Sequence, residues 1–211
     1  MSRYIFDPEV IHEASSRYIG ESRAQMFDKI VKALAERYPG IIDDAQPWIF
    51  SNAGGAMIQV KFLYASAREY LMLFGTPIGT EGHSGRNPVA YYDTVLDGEA
   101  WYYSEGQFER TVYKTGDRIV VQRGESAGMH IPDHVWMIEY ARGPLPVLFP
   151  FGLADSLFST LDFKTVASTM KMYLSLSTRN LSQTQKALLA LLPLSALVSL
   201  SLVRSLRRRR H

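Results

Sequence analysis

The sequence predicts an α+β chain in which a sandwich or barrel of short strands is set between helical ends. Three observations carry this. Apolar residues recur at helical spacing before residue 38. Between residues 48 and 141 the chain breaks into short strand-like segments separated by turn signals. After Pro150 the helical texture returns. A length of 211 residues suggests one domain with an appendage.

Helices come first. Asp7-Pro8 reads as an N-cap with proline at the first helical position. Val10, Ile11, Ala14, Tyr18 and Ile19 continue that helix, and Gly20 interrupts it. A second helix is expected over Glu21–Arg37, with Ala24, Phe27, Ile30, Val31, Leu34 and Ala35 as its apolar stripe and Pro39-Gly40 as its stop. Strands are expected at Trp48–Ser51, Met57–Tyr64, Glu69–Gly75, Glu99–Tyr103, Phe108–Lys114, Arg118–Gln122 and His134–Ala141. Turns are expected at Asn52–Gly55, Gly79–Gly85, Asp97-Gly98, Glu105-Gly106, Thr115–Asp117 and Arg123-Gly124. A single helix is expected from Phe151 to about Leu176.

The segment Ala187–Val203 carries no charge over 17 residues, and Arg204 and Arg207–Arg210 close it. That length lies at the low edge of what spans a bilayer, and Pro193 interrupts it. It reads as a membrane segment that either spans or lies in the interface, with the arginines as anchor. The alternative is a buried helix ending in a solvated charge run.

The charge is divided. The first 162 residues hold 14 cations against 21 acids, and the last 49 hold nine cations and no acid. Such a basic end suits an anionic surface. No aromatic residues interleave with the arginines, so lipid fits better than nucleic acid. With no cysteine, a disulfide framework, an iron–sulfur cluster and a thiol nucleophile are excluded. A Gly-x-Ser-x-Gly elbow and a phosphate loop are also missing from the sequence. The opening MSRYIFDPEV lacks the apolar run of a signal peptide.

Two acids stand out by their neighbours. On an alternating strand, Glu139 shares a face with Val135 and Met137, while Trp136 and Ile138 point the other way. Asp93 sits in Tyr91-Tyr92-Asp93-Thr94-Val95, among aromatic and aliphatic residues. Acids in such company are rarely buried unless paired. If both reach one apolar interior, they share a proton and form a donor and acceptor in one unit. A barrel-rim acid or a structural hydrogen-bonding acid would read the same way. His130 and His134, with Glu139 nearby, offer a metal-site alternative, although Pro132-Asp133 predicts a turn between them.

Several segments together resemble a known family. They are Asn52–Gly55, Ala65-Ser66, Glu69-Tyr70, Leu73–Thr76, Ile78–Arg86 (Ile-Gly-Thr-Glu-Gly-His-Ser-Gly-Arg), Glu139–Gly143 (Glu-Tyr-Ala-Arg-Gly), Ala154-Asp155, Phe158–Thr160 and Asp162-Phe163. In this combination and order they resemble the family of the fungal C-8 (Δ8→Δ7) sterol isomerase and the animal sigma-1 receptor, over roughly residues 6–178. Glu81 and the Tyr140-Ala141-Arg142-Gly143 wording lean toward the isomerase branch. The chain departs from the family where it carries Ile58 in place of a glycine and Ala56 in place of a tryptophan.

The resemblance implies a cupin-like β-barrel preceded by two N-terminal helices and followed by two C-terminal membrane-associated helices, with a ligand-binding domain over residues 1–178 and an apolar segment over 183–211. It implies Glu139 and Asp93 as the catalytic acids. It implies a lining of Tyr70, Phe74, Phe62, Met72, Tyr91, Trp136, Val147, Leu148 and Tyr173. No metal and no cofactor are implied. The expected ligand is a sterol or an amphipathic cationic amine, with membrane lipids and a homotrimer as partners and no nucleic acid. The expected location is the endoplasmic reticulum membrane of a eukaryote, or the cytoplasmic membrane of a prokaryote. The implied activity is sterol Δ8-isomerisation through a carbocation; the alternative is a non-catalytic binder acting through protein partners.

Overall fold

The computed structural model describes residues 4–179. The apolar run 187–203 and the Arg207–Arg210 cluster lie outside the described residues. Two helices lead, α1 (Pro8–Ser16) and α2 (Arg23–Arg37). Nine strands come next: β1 (Ile49–Ala53), β2 (Ala56–Ala65), β3 (Glu69–Thr76), β4 (Thr80–His83), β5 (Ala90–Ser104), β6 (Thr111–Lys114), β7 (Arg118–Val121), β8 (Ala127–Ile131) and β9 (Val135–Arg142). A 3-10 turn at Leu145–Leu148 then leads into α3 (Phe149–Phe158) and α4 (Phe163–Arg179).

The strands are antiparallel and run β1-β2-β3-β9-β5-β8-β4, with β6 and β7 also paired to β5. β5 is the hinge of this arrangement. Its first half pairs with β9 and β7, and its second half pairs with β8 and β6. The change of partners occurs where the register to β9 shifts between Val95 and Asp97. Gly98, just beyond, has φ +98°, and a Cβ there would meet the His134 carbonyl oxygen at 2.2 Å. One long strand thus bends through a bulge and serves two sheets, which wrap into a nearly closed barrel. The backbone N–H of His83 donates to the Gly54 carbonyl (2.8 Å), bringing β4 onto the β1–β2 turn.

The central strands are buried on both faces. On β9, Val135 and Met137 join an inner cluster with Met72, Phe74, Val95 and Ile131. Ile138 and Tyr140 join an outer cluster with Leu63, Leu71, Leu73 and Leu96, against which α1 and α2 lay Ile11, Met26, Ile30 and Leu34. α1 begins as the sequence predicts: the Asp7 carboxylate accepts the Glu9 N–H (2.9 Å) with Pro8 next to it.

A buried acid ties the chain start to this outer face. Glu69 on β3 is 3 % exposed. It accepts hydrogen bonds from the N–H groups of Ile5 (2.8 Å) and Phe6 (3.4 Å) and from the Tyr140 hydroxyl (2.8 Å).

Four expectations are corrected. Gly79–Gly85, read as a turn, contains β4, and β8 was not foreseen. Asp97-Gly98, also read as a turn, lies within β5, just past the bulge between Val95 and Asp97. The strand expected at Phe108–Lys114 begins at Thr111. The helix expected from Phe151 to about Leu176 is two helices. The break falls at residues 159–162, where Leu161 has φ 52°. There Asp162 accepts the N–H (3.0 Å) and hydroxyl (2.7 Å) of Thr165, capping α4 afresh.

α3 and α4 close the open end of the barrel. Asp155 accepts the Gly55 N–H (2.8 Å), which pins α3 to the β1–β2 turn. The Tyr173 hydroxyl donates to the Ser66 carbonyl (2.8 Å), and Arg179 pairs with Asp43 (2.7 Å), which fixes α4. Among the described residues no helix is long and apolar enough to cross a membrane.

The anchoring role of Glu69 can be measured. Glu69→Leu strands two N–H groups and a buried hydroxyl, and should lower the unfolding free energy by about 2–4 kcal/mol. Tyr140→Phe leaves the carboxylate on its two backbone donors and should cost about 1 kcal/mol. Urea unfolding with an unchanged slope reads both, and equal losses would contradict the anchor.

Candidate functional site

Asp93 and Glu139 stand directly opposite each other on β5 and β9. Both side chains face the barrel interior, as the alternation of β9 predicts. Cross-strand partners in an antiparallel pair have Cβ atoms about 4.5–5.5 Å apart, so the two carboxyl groups meet. Met72 is the partner of Glu139 on the other side, on β3. One step along the same three strands, Ala141 lies between Tyr70 on β3 and Tyr91 on β5. The Tyr70 hydroxyl reaches diagonally and donates to Glu139 Oε1 (2.5 Å).

The electrostatics of the pair are set by this packing. Burial is the main cause that raises Asp93 well above the usual carboxylate range, and the charge and hydrogen bond of Glu139 raise it further. Glu139 is raised too, by burial, but hydrogen bonds from Tyr70 and Asp93 pull it back. These directions favour a shared proton, with Asp93 the more basic partner and Glu139 the more acidic one. Asp93 Oδ1 is buried with no hydrogen-bond partner among the described residues, which disfavours a charge on that carboxyl. Burial and the Glu139 charge also push the Tyr70 hydroxyl far up, so it stays a donor.

The pair sits in a cavity of about 220 Å³. Glu139 is only half-buried because it faces this space, whereas Asp93 is 5 % exposed. The walls are largely apolar. Ile58, Val60 and Phe62 come from β2, Met72 and Phe74 from β3, Phe149 and Phe151 from α3, and Tyr173 from α4.

Most of the residues expected at the site converge here: Glu139, Asp93, Tyr70, Phe74, Phe62, Met72, Tyr91, Leu148 and Tyr173 all border the cavity. Two do not. Trp136 points out of the barrel, packing on Phe27 (ring centroids 5.4 Å) and Trp48 (5.6 Å) under α2, because it alternates with Glu139. Val147 lies on the 3-10 turn and is 45 % exposed. Sequence reasoning missed Tyr102, Val121 and Met129 on the far wall, and Phe149 and Phe151 in the closing helix. The signal for Met129 was hidden with β8 itself.

The two histidines are not brought together as a ligand pair. His130 lies on β8 opposite Glu81 (Nδ1 to Oε2 3.5 Å), and His134 lies beyond the turn beside Asp133 (2.7 Å). Among the described residues no cluster of three or more His, Cys, Asp or Glu side chains could hold a metal.

Over residues 1–185 the chain matches the family described as "ERG2 and Sigma1 receptor like protein". It is 42% identical over 173 residues to the Sigma non-opioid intracellular receptor 1 of Gallus gallus, covering 81% of this chain and 78% of the relative. It is 41% identical over 173 residues to the C-8 sterol isomerase erg2 of Aspergillus fumigatus, covering 80% of this chain and 72% of the relative. Among solved structures, a RmlC-like cupin from Shewanella frigidimarina NCIMB 400 is 17% identical and superposes with a TM-score of 0.40, covering 49% of this chain and 94% of that chain.

The raised carboxyls give stability a definite pH dependence. Their contribution is fully present below the unfolded carboxylate range, near pH 4, and is lost as pH rises through the higher folded-state values. Asp93→Asn cannot acquire a second buried charge. Its melting temperature relative to wild type should therefore rise by several degrees from about pH 4 to pH 8. A constant difference would show that the pair holds no extra proton.

Proposed function

The chain belongs to the family of ERG2 and Sigma1 receptor like proteins, and from that premise we propose that it is a membrane-associated C-8 sterol isomerase, moving a sterol ring double bond from Δ8 to Δ7. The observation that carries the reading is the placement of Asp93 directly opposite Glu139, with Tyr70 bonded to Glu139, at the wall of an apolar cavity.

The reaction needs one acid and one base at the same time. Asp93, which keeps the proton, gives it to C9, and positive charge develops at C8. Glu139, held as a carboxylate by the Tyr70 hydroxyl, takes a proton from C7, and the double bond forms between C7 and C8. The hydrogen bond between the two acids then returns the proton from Glu139 to Asp93. No atom or electron is left over, and no cofactor is called for. The carboxylates and the rings of Tyr70 and Phe74 stabilise the cation, and the apolar wall keeps water from capturing it.

Membrane association is supported by the closing helices. Phe158, Leu161 and Phe163 at the α3–α4 junction are 83%, 60% and 63% exposed, close in sequence to Lys164 and Lys171. Apolar side chains beside cations suit a lipid surface with anionic headgroups. A sterol would then reach the cavity from the bilayer.

A second reading has equal support from relatives, since the sigma receptor of Gallus gallus is as similar as the fungal isomerase. In it, the same acid pair binds an amphipathic cationic amine, which mimics the C8 cation, and no bond changes.

Turnover separates the two. Wild-type protein incubated with a Δ8 sterol should yield the Δ7 isomer, monitored by gas chromatography. Glu139→Gln should lower kcat by about 100-fold or more, and Tyr70→Phe by about 10-fold. Amine binding without any Δ7 product would leave the binder reading in place of the enzyme. Undiminished turnover by Glu139→Gln would discard the site.

A further inference from the structure

Glu139 has a tyrosine on each diagonal, and only one of them bonds it. Tyr70 and Tyr91 flank Ala141 on neighbouring strands, and both face the cavity. Diagonal neighbours of this kind lie within about 8 Å, inside the reach of an aromatic side chain. Tyr70 donates to Glu139. Tyr91 is 9 % exposed, and its hydroxyl oxygen accepts an N–H of the Asn87 side chain (3.2 Å). No acceptor for its own hydrogen is found among the described residues.

Asn87 is itself fixed. Its carbonyl accepts the Gly124 N–H (2.8 Å), which ties the segment before β5 to the turn after β7. With the oxygen of Tyr91 occupied from the Asn87 side, its hydrogen is turned away from Asn87, toward the cavity. A buried hydroxyl with an unused donor beside a carboxylate pair is costly unless it serves that charge.

We infer that Tyr91, oriented by Asn87, is a second positioning residue of the acid pair, whose O–H dipole, directly or through one bridging water, stabilises the state in which the shared proton has left. Preorganised dipoles of this kind lower the cost of a developing charge. The mutual influence of Tyr91 with Glu139 and Asp93 is consistent with this placement: after burial, those two charges are what raise its hydroxyl. The inference rests on the acid-pair reading of the cavity and does not require turnover.

The other groups facing the pair must be separated from it. They are Tyr70 from β3, Tyr102 from the second half of β5 with Tyr113 of β6 behind it, His83 from β4 and Tyr173 from α4. α3 and β8 present only Phe149, Phe151, Leu153 and Met129, with Gly152.

The test uses the full chain and dodecyltrimethylammonium, whose charge does not change with pH. Its dissociation constant is measured by calorimetry from pH 5 to 10. Wild-type affinity should rise with pH as the pair loses its remaining proton. Tyr91→Phe should move the midpoint of that rise upward by about half a pH unit or more, with Asn87→Ala moving it in the same direction and Tyr70→Phe moving it further. His83→Gln, as a control, should leave the Tyr91→Phe displacement intact. Uniformly weaker binding with an unmoved midpoint in Tyr91→Phe and Asn87→Ala would make Tyr91 a packing residue and overturn the inference. So would a wild-type affinity that ignores pH. If Tyr91→Phe does not fold, Asn87→Ala decides, because it keeps Tyr91. If the variants show the displacement while the wild type leaves a Δ8 sterol unchanged, the isomerase reading sinks and this inference stands.

Discussion

Two carboxyl groups placed opposite each other inside an apolar barrel are costly to charge together, and the site is organised around that constraint. The register Asp93↔Glu139 sets it. A lone buried acid would simply stay protonated. The pair instead keeps one charge and one proton side by side, each stabilised by the other. Tyr70 decides the asymmetry by bonding Glu139 and not Asp93. Without that donor the two acids would differ only through burial, which is deeper for Asp93.

Holding such a pair requires rigid strands rather than loops, because a small displacement would let water in or separate the acids. β9 is rigid because it is packed on both sides. Its inner residues meet the barrel wall, and its outer residues meet α1 and α2. Glu69 extends this to the chain start, where it bonds the backbone just before α1 and the outward Tyr140 next to Glu139 in sequence. The chain thus sets Glu69 and Glu139 on opposite faces of one sheet. Glu69 is fully supplied with fixed donors and holds structure. Glu139 has two donors and an open cavity, which leaves it a charge to use. The difference lies in what each acid faces, and β-strand alternation alone assigns it.

Much of this was legible in the sequence, and the gaps have physical causes. The α1 cap, the face of Glu139 and the opposite face of Trp136 come from local rules, and the structure obeys them. The family resemblance counts Trp136 toward the lining against the alternation rule, and alternation prevailed. The opposition of Asp93 and Glu139 could not be read, because register depends on long-range pairing. It was further hidden by Gly98, where a glycine that normally signals a turn lies inside β5, just past its bulge. The break between α3 and α4 contains neither proline nor glycine. Its only sequence signal is Asp162 three residues before Thr165, a capping pattern lying inside an otherwise continuous helical stretch. β8 reads Ala127-Gly128-Met129-His130-Ile131, which has little β-propensity of its own and owes its strand to pairing with β4 and β5.

The equal nearness of isomerase and receptor relatives has a basis in the chemistry of the pair. One buried negative charge with an apolar surround attracts any ligand that carries or can develop positive charge at that point. The outcome then depends on the ligand. On the proposed mechanism a ring alkene would accept the Asp93 proton, and the cation it became would have a C–H next to it for Glu139 to take, so the charge would be discharged and the product would leave. An ammonium arrives already charged, accepts no proton on carbon and has no neighbouring C–H made acidic by an empty orbital. It stays, matched to the same carboxylates. Catalysis and retention are therefore two outcomes of one electrostatic arrangement, and the residues that bind the cation cannot by themselves say which occurs. The distinction must come from how the cavity walls place C9 and C7 against two acids fixed on adjacent strands. On the proposed mechanism that task would fall to the apolar lining from β2, β3 and α3, since the acids are placed by strand pairing.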